Sequence, residues 1–368
     1  MLSRPLTSSP CLRKAKTTSR SMARAYATVK KDPNYVKIVE VGPRDGLQNE
    51  KSVIPPEVKI DLINRLNKAG MTTIEAGSFV SPKWVPQMAA TDKVITGMTR
   101  IPGSHYPVLV PNHKGLSNLL TLLSSHPSSP SSPPPPTDEI AVFTAATDAF
   151  SLANTNCTVS ESLARLAPVV EQALKAGLRV RGYVSVVIHC PYTGRVKYED
   201  VKSVTKSLLE MGCYEVSLGD TVGMGTPGSV KEMVETVVGA DGRIPVEVVA
   251  GHFHDTFGAA VANVHTALSL GIRTIDSAVG GLGGCPYSPG ATGNVATEDV
   301  IYSLKDSRYH TEGDLDKMVD IGYWISERLG RQNASRAGKA MLAQRNRKRV
   351  EKEREREGGN AESVSAKL

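Results

Sequence analysis

The chain has 368 residues, 40% hydrophobic and 22% charged, room for one large single-core domain or two ordinary ones. No run of about 18 apolar residues exists to cross a membrane as a helix, so no membrane partner is expected. The formal net charge of +7 sits in the ends: residues 1–31 hold eight Lys/Arg and no acid, residues 334–368 hold ten against five acids, and the body between has 26 basic and 32 acidic residues. That body carries no bulk signature of nucleic-acid binding.

In chain order, residues 1–26 read as a mitochondrial transit peptide, rich in Arg, Lys and Ser, and Arg24-Ala25-Tyr26-Ala27 resembles a processing site cut after Tyr26. Strand-like apolar runs then alternate with amphipathic ones. Strands are expected at Val36–Val41, Thr73–Ala76, Tyr106–Val110, Glu139–Phe143, Val180–Val187, Glu215–Leu218, Pro245–Ala250 and Thr274–Ala278. Helical periodicity runs through Glu57–Ala69, Leu116–Leu123, Glu161–Ala176, Val201–Met211, Val230–Val238 and Ala259–Leu270. Gly70, Gly177, Gly212 and Gly271 stand where helix C-caps belong.

Eight β–α units over roughly 300 residues predict a (β/α)₈ TIM barrel across residues 34–333, with parallel strands and covering helices. No Gly-x-Gly-x-x-Gly follows the first strand, which speaks against dinucleotide binding. Residues 124–136 are almost all Ser and Pro and read as a disordered insertion. Residues 334–368 form a charged tail, a short helical extension held over Arg345–Glu357 by i,i+4 ion pairs. The tail ends in Ala366-Lys367-Leu368, one residue from a peroxisomal address. Five cysteines without a Cys-x-x-Cys pair point to reduced thiols inside a cell.

Several polar fragments fall at the carboxyl ends of the expected strands, the face where a barrel carries its chemistry. In His252-Phe253-His254 the two imidazoles point the same way from a strand, as metal ligation requires. Asp45, in the turn bracketed by Gly42 and Gly46, is the carboxylate candidate, since strands one and seven lie near each other in a closed ring. Asn294 is able to supply a neutral oxygen, although an Asn before a helix is more often an N-cap. A hard cation, Mg²⁺ or Mn²⁺, fits such a mixture, and zinc has no cysteine pair to favour it. Arg44 reads as an oxyanion donor or as a salt-bridge partner of Glu75, and these are compatible. Asp220 reads as a base, or as a structural cap for the turn after it. Cys285, in the Gly-dense Gly280–Tyr287 loop, reads as a proton donor or a gate under a lid.

Over residues 34–333 the chain resembles the hydroxymethylglutaryl-CoA lyase family. Three motifs carry the resemblance: Val41–Glu50, Ser78–Met88 and Gly281–Tyr287. It implies that Asp45, His252, His254 and Asn294 bind the cation, and that Arg44, Glu75, Asp220 and Cys285 serve catalysis. His252 would also transfer a proton, Gln48 would lie near the substrate, and Glu298 would support the site from a helix. The implied activity is cleavage of 3-hydroxy-3-methylglutaryl-CoA to acetyl-CoA and acetoacetate, in leucine degradation and ketone body formation. A homodimer in the mitochondrial matrix, with a peroxisomal share, is the implied setting. The rivals are a condensing acyltransferase of the isopropylmalate or homocitrate synthase type, which typically carries Glu where Leu47 stands, and a non-catalytic scaffold. No cysteine follows Cys285, so the C-terminal thiol of animal members is absent.

Overall fold

Val, Ile and Leu at the expected strands leave no solvent-facing side to the sheet, and such strands must be covered by helices on one side and closed on the other. The computed structural model describes residues 32–126, 134–239, 243–284 and 293–365, with side chains to residue 356. Eight parallel strands run in the order β1-β8-β7-β6-β5-β4-β3-β2: β1 Lys37–Glu40, β2 Gly77–Ser78, β3 Val108–Leu109, β4 Glu139–Ala145, β5 Arg179–Ser185, β6 Glu215–Asp220, β7 Val249–Phe253 and β8 Thr274–Ser277. The ring closes just before β2. Glu40 N–H donates to Thr73 O at 3.0 Å, and Glu75 N–H donates to Glu40 O at 2.9 Å.

Each strand is followed by at least one helix, and the apolar core lies between strands and helices. All six amphipathic stretches are helical, from Pro56–Lys68 to Ala260–Ser269. Gly212 (φ 110°) and Gly271 (φ 103°) both take the left-handed conformation that stops a helix before the next strand.

Strand limits shift by one or two residues in most places, and two strands depart further from expectation. Val246–Val248 is a 3₁₀ turn, because Pro245 cannot donate to a ladder and Val246 packs on Gly271. The seventh strand therefore begins at Val249 and runs through His252. Thr73–Ala76 makes strand-like bonds to its neighbours but forms a regular strand only at Gly77–Ser78.

The C-terminal extension is longer than the short helix expected. It runs from Arg336 to Ser365, with ion pairs Arg347–Glu351 and Arg349–Glu353 along it. A preceding helix, Leu315–Leu329, packs on the Val279–Gly281 turn and receives Arg345 on Asp316 and Asp320. Residues 1–31 with the expected transit peptide, residues 127–133 of the Ser/Pro insertion, Cys285 and Ala366-Lys367-Leu368 lie outside the described residues.

Candidate active site

The period of two in β7 sends His252 and His254 the same way, and their ring centroids are 5.3 Å apart. Asp45 arrives from the tight Gly42–Gly46 turn after β1. The ligand atoms of Asp45, His252 and His254 all lie within 4.8 Å of one another. Asn294 is brought in by backbone pairing, not by a helix cap: it bridges to His254, and Val295 N–H donates to Phe253 O at 3.0 Å. The following helix has Ala296 at its N-cap, which removes the capping alternative for Asn294. Asn294 gives its amide N–H to Asp45 Oδ2 (2.9 Å) and to Leu282 O (3.1 Å), and its Oδ1 is buried without a donor. His254 Nδ1 is buried without a partner too. One carboxylate, two imidazoles and an orphaned amide oxygen are a donor set that fits a divalent cation.

Charge in this cluster is tightly arranged. Burial works to raise the Asp45 carboxyl, but Arg44, His252 and His254 outweigh it and hold it at about 2. Burial, helped by the neighbouring His252, drives His254 down to about 4, so its ring is neutral and ready to ligate. Burial lowers His252 as well, yet the hydrogen bond and charge of Asp276, followed by Asp45, bring the net shift upward.

Arg44 is buried between two carboxylates. Its Nε and Nη2 reach Glu75 Oε2 at 2.8 and 2.7 Å, and Nη1 reaches Asp45 Oδ1 at 2.7 Å. The salt bridge to Glu75 is thus present, with Arg44 still at the mouth. Asp220 ends β6 and accepts N–H groups from Met224 (3.2 Å) and Gly225 (2.8 Å), so it caps the turn that follows. Burial pushes its carboxyl up to about 6. Gln48 is half-buried on the turn after Asp45.

Glu298 does not join the cluster. Both its oxygens accept the N–H of Gly280, at 3.0 and 2.8 Å, so it holds the base of the loop leading to Cys285. Gly283 (φ 121°) has no room for a side chain, since a Cβ would sit 2.9 Å from Asn294 Nδ2.

Three participants escaped the sequence reading. Glu40 accepts N–H groups from Gly42 and Val279 and the hydroxyl of Thr297. Arg181 is buried inside the barrel between Glu215 and Asp276. Asp276 lies 3.2 Å from His252 Nδ1. The available signal was a charge in the middle of an expected strand, at Arg181 in β5 and Asp276 in β8.

The family model described as HMGL-like matches residues 35–325. A Bos taurus protein described as mitochondrial hydroxymethylglutaryl-CoA lyase is 48% identical over 308 residues, 84% of this chain and 90% of that one. A Pseudomonas aeruginosa protein described as 3-hydroxy-3-isohexenylglutaryl-CoA/hydroxymethylglutaryl-CoA lyase is 50% identical over 311 residues, 84% of this chain and 98% of its own. Among solved structures, a hydroxymethylglutaryl-CoA lyase from Pseudomonas aeruginosa superposes with a TM-score of 0.78 at 49% identity, covering 85% of this chain and 99% of that one. An HMG-CoA lyase from Acinetobacter baumannii, in complex with coenzyme A and 3-methylmalate, gives 0.76 at 35% identity, covering 85% and 97%. With the barrel, the cluster at its mouth and these likenesses together, the chain belongs to the HMGL-like family.

Proposed function

We propose that this chain cleaves 3-hydroxy-3-methylglutaryl-CoA to acetyl-CoA and acetoacetate, as a carbon–carbon lyase that works with a divalent cation. The observation that carries the reading is the convergence of Asp45, His252 and His254 beside the buried Arg44, in a chain 48% identical to an enzyme described as a hydroxymethylglutaryl-CoA lyase. The condensing alternative is not favoured, since Leu47 is buried in the apolar core where such enzymes typically carry Glu.

Asp45, His252, His254 and Asn294 would hold the cation, and their mixed donors suit Mg²⁺ or Mn²⁺. When bound, it supplies Lewis-acid chemistry, drawing electron density from the tertiary hydroxyl and the carboxylate of the substrate. The chain's own residues do the rest. Asp220, raised to about 6, takes the hydroxyl proton near neutral pH, directly or through His252. The carbon–oxygen bond then becomes a carbonyl, the adjacent carbon–carbon bond breaks, and its electron pair moves into the thioester as an enolate. Arg44 donates to the enolate oxygen, already held in place by Glu75, so little reorganisation is needed. A proton delivered to the enolate carbon, with Cys285 as the proposed donor, completes acetyl-CoA.

The deciding experiment incubates purified protein with the hydroxymethylglutaryl thioester and Mg²⁺, with and without chelator, and assays acetoacetate. Release that stops with chelator is expected. No acetoacetate, alongside condensation of acetyl-CoA with a 2-oxo acid, would replace this reading by the synthase one. A homodimer in the mitochondrial matrix, cut near Tyr26 and shared with peroxisomes, is part of the same proposal; relatives described as mitochondrial support the matrix location alone.

A further inference from the structure

An imidazole offers a cation one lone pair, and the partner of its other nitrogen decides which. For His252 that partner is set by strand register. Asp276 of β8 is the cross-strand neighbour of His252 in β7, and both face the barrel interior, where Asp276 Oδ2 lies 3.2 Å from His252 Nδ1. The other contacts of Asp276 are donors. Arg181 gives Nη2–H to Oδ1 at 2.8 Å and Nη1–H to Oδ2 at 3.3 Å, and the Ser217 hydroxyl donates to Oδ2 at 2.7 Å. Arg181 is itself gripped by Glu215 at 2.7 Å and donates to the Tyr183 hydroxyl at 2.9 Å, so Asp276 cannot swing away. A carboxylate among so many donors only accepts. The neutral ring of His252 must then carry its hydrogen on Nδ1, leaving the lone pair on Nε2. His254 has no such orienter, its Nδ1 being buried without a partner.

We propose that Asp276 is a positioning residue, which fixes His252 in the Nδ1–H tautomer and ring orientation that present Nε2 to the cation site shared with Asp45 and His254. This rests on the cation site proposed above. Asp276 acts through His252 and belongs to a hydrogen-bonded chain that continues across the barrel. Tyr183 donates to Glu75 Oε2 at 3.3 Å, and Glu75 grips Arg44. Both ends of the reaction centre are therefore held by one interior network.

Asp276→Asn separates positioning from bulk. Arg181 offers only donors and makes its shorter bond to Oδ1, at 2.8 Å, so the amide oxygen should keep that place and the amide N–H₂ should take the Oδ2 place facing His252, giving up the longer Nη1 contact. There it demands a lone pair on Nδ1 and moves the ring hydrogen to Nε2, the nitrogen that should ligate. Mn²⁺ binding to substrate-free protein, followed by electron spin resonance, should weaken about 10–100-fold, while the circular dichroism of the metal-free variant matches the parent. The tautomer is read directly in the parent protein, by long-range ¹H–¹⁵N NMR of ¹⁵N-histidine at a pH where the ring is neutral, with His252→Gln assigning the signal. An Nδ1–H pattern is expected. An Nε2–H pattern, or unchanged Mn²⁺ affinity in a folded Asp276→Asn variant, overturns the proposal. If the parent binds no Mn²⁺, the cation site itself fails, and the NMR pattern still decides what Asp276 does.

Discussion

A guanidinium buried between two carboxylates has most of its donors spoken for, and Arg44 is in that position. Burial by itself would lower the pKa of Arg44, yet Glu75 and Asp45 raise it, so the charge is permanent. The Tyr183 ring, 5.4 Å from the guanidinium carbon, adds a further favourable contact. A permanent, pre-oriented positive charge is worth most where negative charge develops during reaction. Arg44→Gln should therefore cut kcat by about 10²–10³, with a much smaller change in Mn²⁺ affinity. Parallel titration and turnover measurements check this, and equal losses in both would make Arg44 a support for Asp45.

At the scale of elements, the stretch Val279–Gly284 hangs from two buried carboxylates. Glu40 holds Val279 and Glu298 holds Gly280, while Ala334 N–H donates to Gly280 O at 2.9 Å from the other side. Burial pushes Glu40 up to about 7 and Glu298 up to about 8. For Glu298 the folded value exceeds the ordinary carboxyl value of 4.5, so the folded state binds its proton more tightly. That contribution is full below the unfolded pKa and is lost as pH rises through about 8. Glu298→Gln keeps an acceptor for Gly280 and has no charge to bury. Relative to this variant, the parent should lose on the order of a few kcal/mol between roughly pH 4.5 and pH 8. Melting temperatures of both proteins across that range test the sign, and a pH-independent difference would refute it.

For the whole molecule, the C-terminal helix divides in two. Its start and the segment leading into it are fastened to the mouth: Arg331 pairs with Glu50 at 2.7 Å, Arg336 with Asp255 at 2.5 Å, and Ser335 donates to Asp299 at 2.7 Å. From Asn346 to Arg356 every residue is exposed. A chain ending at Asn346 should thus melt and turn over like the full chain. One ending at Gly330 loses the bond to Gly280 and all three ties, and both melting temperature and kcat should fall. Thermal melts and turnover of the two truncations decide the matter, and a harmless loss of residues 331–346 would show that the strap carries no load.

Much of the site was legible because it depends on local periodicity. His252-Phe253-His254 needs only the period of two along a strand, and Asp45 and Arg44 need only a turn after β1. The alternation of strand and helix, with glycine ending the helices, was enough to specify an eight-unit barrel. Asp276, Arg181 and Glu40 were not legible. In one strand an isolated charge reads equally as a solvent face, and only closure of the ring turns that face into a dry interior. Asn294 was ambiguous for a similar reason, since the bridge to His254 spans forty residues and competes on paper with a local cap. The chain by itself determined which candidate ligands exist and that their strands run parallel. The tertiary structure decided which carboxylate orients His252 and which ones suspend the loop, because those contacts depend on register between strands far apart in sequence.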